Sequence, residues 1–299
     1  MEQFLEVAYP TFRRIASSLE RVASGFAFTE GPVWCGDHLL FSDIPNSRTV
    51  LCRPRQEGAE ISTFRHPTGN ANGLTLDHQG GVLACEHSGR RVSRVDASGK
   101  AETVVDSYQG KRLNSPNDVV VRSDGTIFFT DPPYGLRHHT EGKELPFNGV
   151  YRIDPDGGMH LLADDFERPN GLAFSPDESK LYVDDSARFH IREFDVAVDG
   201  SVSGGKIFAE LKAKEDERGV PDGMKVDQEG NVYCTGPGGV WVFDSNGRHI
   251  GRIVLPETPA NVAWGGSDWR TLYITAQTSL YRISLLVPGI PVGPAAKRL

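Results

Sequence analysis

A carboxylate or carboxamide side chain recurs six times at the head of a short apolar run: Glu30 in TEGPVW, Asn72 in ANGLTLD, Asn117 in PNDVVV, Asn170 in PNGLAFS, Asp222 in PDGMKVD and Asn261 in ANVAWGG. The intervals between them are 42, 45, 53, 52 and 39 residues. A period of this size marks a repeat architecture, because one short unit cannot bury its own apolar face and must stack on copies of itself. Each unit has the same order: polar residue, apolar run, turn, β-rich run, turn, and further β-rich runs. In the second unit this reads NGLTLD, HQGG, VLACEH, SGR, RVSRVD, ASGK and AETVVD. Alternating runs bounded by Gly, Asp, Asn and Ser are hairpin signals.

Six units of four antiparallel strands predict an all-β chain folded as a six-bladed β-propeller, in which radial repetition leaves only short, protected edges. The sixth unit supplies three strands, NVAWGG, TLYITA and SLYRISLL, before a proline-rich end. The segment SLERVASG at 18–25 is therefore expected to close the ring as the missing outer strand. Residues 1–17 form an N-terminal arm, with a helical turn expected around Pro10–Ser17, and 18–299 form one propeller domain. Two polar insertions depart from the repeat, 131–148 and 211–221. Long loops of this kind commonly bind ligands, and Tyr134, Arg137, His138 and His139 make the first the better lid.

Bulk properties narrow the function. A net charge of -8 with scattered basic residues argues against a nucleic-acid partner. No stretch reaches the roughly 18 apolar residues needed to cross a bilayer, and the N-terminus lacks a secretory pattern. The four cysteines, Cys35, Cys52, Cys85 and Cys234, show no CxxC spacing and read as buried thiols of a reducing, cytoplasmic compartment, with a Cys35–Cys52 bridge as the alternative. The chain is expected to act as a monomer or homodimer on a small molecule.

In a propeller the innermost strands line the central channel, so Glu30, Asn117, Asn170 and Asp222 would meet at one mouth. Two carboxylates with carboxamide oxygens describe a hard-cation site, for which calcium is the first choice and magnesium, manganese or zinc the alternatives. Asn-Gly and Asp-Gly are also ordinary turn pairs, which accounts for RSDGT or DQEGN but less well for pairs standing before apolar runs. Asn72 and Asn261 occupy the same slot as channel-mouth groups.

The strings FTEGPVW, ANGLTLD, LACEHSGRRV, LNSPNDVVVRSDGTIFFTDPPYGL, RPNGLAFSPDESKLYV and VPDGMKVDQEGNVY resemble the SMP/gluconolactonase/regucalcin family, in particular its bacterial gluconolactonase-like branch. The resemblance covers the chain from about Ser18 to Leu286. It implies one divalent ion held by Glu30, Asn170 and Asp222, with Asn117 as a further ligand or substrate contact, and hydrolysis of a sugar-acid lactone. In such a reaction the cation would stabilise the oxyanion formed on ring opening. Asp222 is the expected ligand and general base, with His87 the alternative base. Asn72, Arg112, Asn114, Asp131 and Tyr134 are expected near the substrate. An arylesterase or phosphotriesterase on the same ring, and a non-catalytic calcium-binding propeller, are the rival readings.

Overall fold

The computed structural model describes residues 5–7, 16–138 and 141–298, with backbone alone at 5–7, 137–138 and 297–298. Six antiparallel sheets stand around a central channel. The first blade comprises Thr29–Trp34, Leu39–Asp43, Arg48–Pro54 and Ala59–Arg65, ordered from the channel outward. Four further blades begin at Ala71–Leu76, Val119–Val121, Pro169–Phe174 and Met224–Val226. The last begins at Pro259–Gly265, and its outer strand is Glu20–Ser24, paired antiparallel with Ser279–Ser284. The ring is thus closed by an N-terminal strand, within the stretch expected to do so.

The burial pattern follows from the stacking of blades. The strand Thr29–Trp34 is buried at all six positions, whereas Ala59–Arg65 at the rim is mostly exposed. Among the described residues the buried apolar side chains fall into clusters that each join two neighbouring blades. Inner strands are covered on both faces, so they read as nearly continuous apolar runs rather than alternating ones. The turns follow their sequence signals: Gly125 in RSDGT and Gly230 in DQEGN adopt φ of 93° and 83°, which a side chain would strain.

Two terminal features lie outside the repeat. Leu5–Val7 pairs with His249–Val254 as a fifth strand of the fifth blade, so part of the arm covers an open edge. The helical turn expected over 10–17 falls largely on residues outside those described. After the last strand the chain runs beneath the channel, where Gly289 bridges to Asp227 and its N–H donates to the carbonyl of Trp269. Among the described residues no helix is long and apolar enough to cross a membrane. All four cysteines are free, so the alternative Cys35–Cys52 bridge is not formed. Burial pushes the Cys35 thiol up to about 12 and that of Cys52 to about 11, which makes both poor nucleophiles.

Candidate active site

The inner strands begin irregularly, and this aims the repeated polar residue. Register shifts occur between Glu30 and Val33, Ala71 and Leu74, and Pro169 and Leu172. Such bulges turn a side chain out of the regular alternation. The glycine after the polar residue serves blade packing here rather than a turn. A Cβ on Gly73 would lie 2.5 Å from the Asn117 carbonyl, and one on Gly171 2.1 Å from the Asp222 carbonyl. With no Cβ in the way, the Gly73 and Gly171 N–H groups donate to those carbonyls at 2.8 and 3.0 Å. Each slot is thereby tied to the slot of another blade.

A second repeated device fixes the approach to the slot. Asp43 Oδ1 accepts the N–H groups of Ala27 and Phe28 at 3.0 and 3.4 Å. Asp131 accepts those of Asn114 and Ser115 at 2.7 and 2.6 Å, and Asp185 those of Glu167 and Arg168 at 2.8 and 3.1 Å. In all three blades the clamped residues stand three and two positions before the slot. Asp131, expected near the substrate, is a buried loop clamp and is absent from the cavity lining. Burial pushes its carboxyl up to about 7 against the pull of those two amides.

The starts of the strands open into one cavity of about 480 Å³, lined by Glu30, Asn72, His87, Asn117, Tyr134, Asn170 and Asp222 together with Phe28, Ile44, Pro45 and Val220. Every residue expected to hold the ion is present, as are His87, Asn72 and Tyr134. Arg112 and Asn114 are absent from the lining. Arg112 is exposed on the small hairpin Ser107–Tyr108 and Lys111–Arg112, its N–H bound to Glu144. Asn114 is fully buried and its amide donates to the carbonyls of Asp131 and Phe147. Asn261 also stays off the wall and donates to Glu30 Oε2 at 2.9 Å. Of the proposed lid, Tyr134–His138 forms a 3-10 turn whose Gly135 N–H donates to Ser115 Oγ at 2.7 Å. The side chains of Arg137, His138 and His139 lie outside the described residues.

Hydrogen bonds order the polar wall. Asn72 Nδ2 donates to Asn117 Oδ1 at 2.5 Å, and His87 Nε2 lies 3.0 Å from the same oxygen. Asn117 Nδ2 donates in turn to Asn170 Oδ1, whose own amide reaches Ser186 Oγ at 3.0 Å. Ser186 donates to the Pro221 carbonyl at 2.6 Å, which places the residue before Asp222. The Asn72 Oδ1 atom is buried without a hydrogen-bond partner. A buried acceptor of this kind costs free energy until a donor or cation meets it.

Electrostatics set the opposite side apart. Burial first, and the Asp118 carboxylate second, push Glu30 up to about 7, opposed by the Gly31 N–H and the Asn261 amide. Burial, then the carboxylates of Glu30, Asp184 and Asp118, raise Asp222 well above the usual range. Asp118 is offset by Lys225 Nζ at 3.8 Å, yet one oxygen each of Asp118 and Asp184 is buried without a hydrogen bond. Among the described residues no trio of His, Cys, Asp or Glu converges as a metal site. A cation would instead rest on the carboxylates Glu30 and Asp222 and on carboxamide oxygens. Asn170 Oδ1 retains a lone pair after accepting from Asn117. The all-oxygen donors and the surplus negative charge fit a hard dication.

Sequence reasoning missed the apolar wall and the roles of Ser186 and Asp184. The clamp was legible in principle, since FSD, FTD and VDD each end a second strand with a carboxylate. The apolar residues carry little signal, because their places two before a slot or just after a strand-ending carboxylate hold Ser115, Arg168 and His87 in other blades.

Comparison with known proteins places this site in a lineage. Residues 28–278 match the model of the SMP-30/Gluconolactonase/LRE-like region. The chain is 34% identical over 293 residues to a gluconolactonase of Zymomonas mobilis, covering 90% of this chain and 82% of that protein. It is 31% identical over 255 residues to a pentonolactonase of Haloferax volcanii, covering 82% and 80%. Among solved structures, a gluconolactonase of Xanthomonas campestris superposes with a TM-score of 0.86 at 35% identity, over 94% of this chain and 95% of that one. A calcium-binding regucalcin of Agrobacterium tumefaciens shares the fold, with a TM-score of 0.74 at 17% identity over 94% and 96%. The match spans the blades that supply every residue of the cavity wall, and on that ground the chain belongs to the SMP-30/gluconolactonase/LRE-like family.

Proposed function

We propose that this protein is a metal-dependent lactone hydrolase acting on a sugar-acid lactone, with Glu30, Asn170, Asp222 and Asn117 holding one divalent cation, calcium in the first instance. One observation carries the reading: two carboxylates of raised proton affinity and a chain of carboxamides converge on one cavity. The lactonase relatives support the reaction class. When bound, the cation supplies charge that polarises an ester carbonyl and acidifies a water molecule.

The chain's own groups divide the remaining work. Asp222, partly open to the cavity, accepts the proton of the attacking water. His87 belongs to the second blade and Asp222 to the fifth, so they face each other across a six-membered ring. His87 Nε2 lies 3.0 Å from Asn117 Oδ1 and 3.3 Å from Asn72 Nδ2, and in the tautomer that donates to the oxygen it is placed to protonate the ring oxygen as the C–O bond breaks. Asn72 stands on the cavity wall beside the bound ring, and Tyr134 covers that ring from the 3-10 turn. Burial raises the Tyr134 phenol above its ordinary range, so it remains a neutral hydrogen-bonding group. The four free cysteines support a reducing compartment such as the cytoplasm.

The test is a lactone panel with metal-free protein and added ions. Turnover of aldonolactones should vanish on exhaustive chelation and return with calcium, with magnesium, manganese and zinc run in parallel. Turnover that persists without metal would overturn the metal-assisted reading. Hydrolysis of aryl esters or phosphotriesters alone would favour the rival hydrolase, and calcium binding with no turnover the non-catalytic propeller.

A further inference from the structure

The cavity wall has two unlike arcs. Asn72 and His87 come from the second blade, Asn117 and Tyr134 from the third and Asn170 from the fourth. Phe28, Ile44 and Pro45 come from the first blade and its entry, and Val220 from the loop leading into the fifth. Because the sixth blade lies between the fifth and the first, the apolar residues share one side of the mouth and the amides the other.

The apolar arc is built rather than incidental. Asp43 clamps the Phe28 N–H, and the Ile44 N–H donates to the Phe28 carbonyl at 3.1 Å. Asn70 Nδ2 donates to the Ile44 carbonyl at 2.7 Å, which fixes the loop that carries Pro45. Val220 stands between Gly219, whose φ is 113°, and Pro221, whose carbonyl Ser186 holds. Phe28 and Val220 are each 36% exposed although their backbones are fixed, so their side chains present apolar surface to the cavity. Among the described residues of the lining there is no arginine or lysine, and Glu30 and Asp222 are its carboxylates.

On the lactonase reading, we infer that the site prefers an uncharged aldonolactone whose exocyclic carbon is apolar, a 6-deoxy-aldono-1,5-lactone. The ring hydroxyls meet Asn72, His87 and Tyr134, and the exocyclic methyl packs against Phe28 and Val220. A hydroxymethyl group there would lose water without gaining a partner from the apolar side chains, and a phosphate would meet apolar side chains with no arginine or lysine among the described lining residues.

Three substrates with one ring stereochemistry test this: 6-deoxygluconolactone, gluconolactone and 6-phosphogluconolactone, hydrolysed by the calcium-loaded protein. The expected order of kcat/KM is as written, with the first at least ~10-fold above the second, chiefly through KM. Phe28→Ser and Val220→Ser should each bring that ratio down to about 2, while Phe28→Leu keeps it. A wild-type ratio of one or below, a ratio the serine variants leave unmoved, or a preference for the phosphorylated lactone would overturn the inference while leaving the lactonase reading intact. If none of the three is hydrolysed, that reading fails on its own, and calorimetric binding of the three corresponding lactams decides the inference. Tightest binding of the 6-deoxy lactam, weakened in Phe28→Ser, would sustain it, and equal binding would end it.

Discussion

The inner strands of the propeller serve opposite purposes at their two ends. At their starts Glu30, Asn117, Asn170 and Asp222 surround an open cavity of about 480 Å³. At their finishes Leu76, Val121, Phe174, Val226 and Trp264 line a second cavity of about 360 Å³, roofed by Ile290, Pro291 and Val292 of the C-terminal tail. The tail is seated tightly: a Cβ on Gly289 would lie 1.8 Å from the Trp264 ring, and one on Gly293 2.6 Å from Leu76. The starts of the strands thus collect the charge of buried Glu30 and Asp118 and half-buried Asp222 and the unpaired Asn72 oxygen, at a cost in stability, and the finishes carry apolar packing against the tail. Chemistry and stability should therefore separate along the channel axis.

The largest effect expected is at the open end. Asp222→Asn should lower kcat/KM by roughly a thousandfold or more, the range seen when a group acting on developing charge is removed. The chelated variant should melt no lower than wild type, because the change removes a carboxylate from beside Glu30, Asp184 and Asp118. Activity near wild type would break the comparison at once. At the closed end Trp264→Ala should cost about 3–5 kcal/mol of stability, as expected for deleting a large buried ring, while kcat/KM of the folded protein stays within about twofold. A thousandfold loss of activity there would show that the two ends are not separable.

A subtler test uses protons. Glu30 has a folded pKa near 7, above its reference of 4.5, so the metal-free folded protein holds a proton there that the unfolded chain releases. That contribution to stability is full below pH 4.5, is still partly present at pH 5.5 and is gone once the pH has risen through 7. Asp131, also near 7, acts in the same direction. The chelated protein should therefore melt higher at pH 5.5 than at pH 8, and the calcium-loaded protein should show the reverse. Calcium affinity should fall as the pH is lowered below 7, because cation and proton compete for the same carboxylates. Melting curves at the two pH values, with and without calcium, check both signs. The smallest effect is expected at Arg112→Ala, which changes an exposed hairpin residue off the cavity wall, and kinetics within about twofold of wild type would confirm its exclusion.

Much of this was legible in the chain because it is repeated. The period, the turn pairs and the strand borrowed from residues 18–25 specify a closed ring of six blades, and the period alone marks the slot residues. Arg112, Asn114 and Asp131 stand off the cavity wall, because neither nearness in sequence to Asn117 nor a place at the head of the insertion sets the direction of a side chain. Asp131 turns inward to hold the entry loop, as Asp43 and Asp185 do in other blades, Asn114 turns inward beside it, and Arg112 lies exposed on a hairpin. The apolar arc was invisible for a different reason. Phe28 and Val220 each stand two positions before a slot and Ile44 follows a strand-ending carboxylate, but the same places hold Ser115, Arg168 and His87 in other blades, and only ring closure makes the apolar ones neighbours.

By itself the sequence determined the number of blades, the closure of the ring and the six positions able to carry an oxygen to its centre, since all three follow from periodicity and binary pattern. The tertiary structure decided how those six divide. Asn261 is drawn off to Glu30, Asn72 is left with an unpaired oxygen, and Glu30 and Asp222 share a crowded field of carboxylates. Burial and hydrogen-bond partners are properties of the assembled ring, and equal slots in the sequence become unequal once each has its own neighbours.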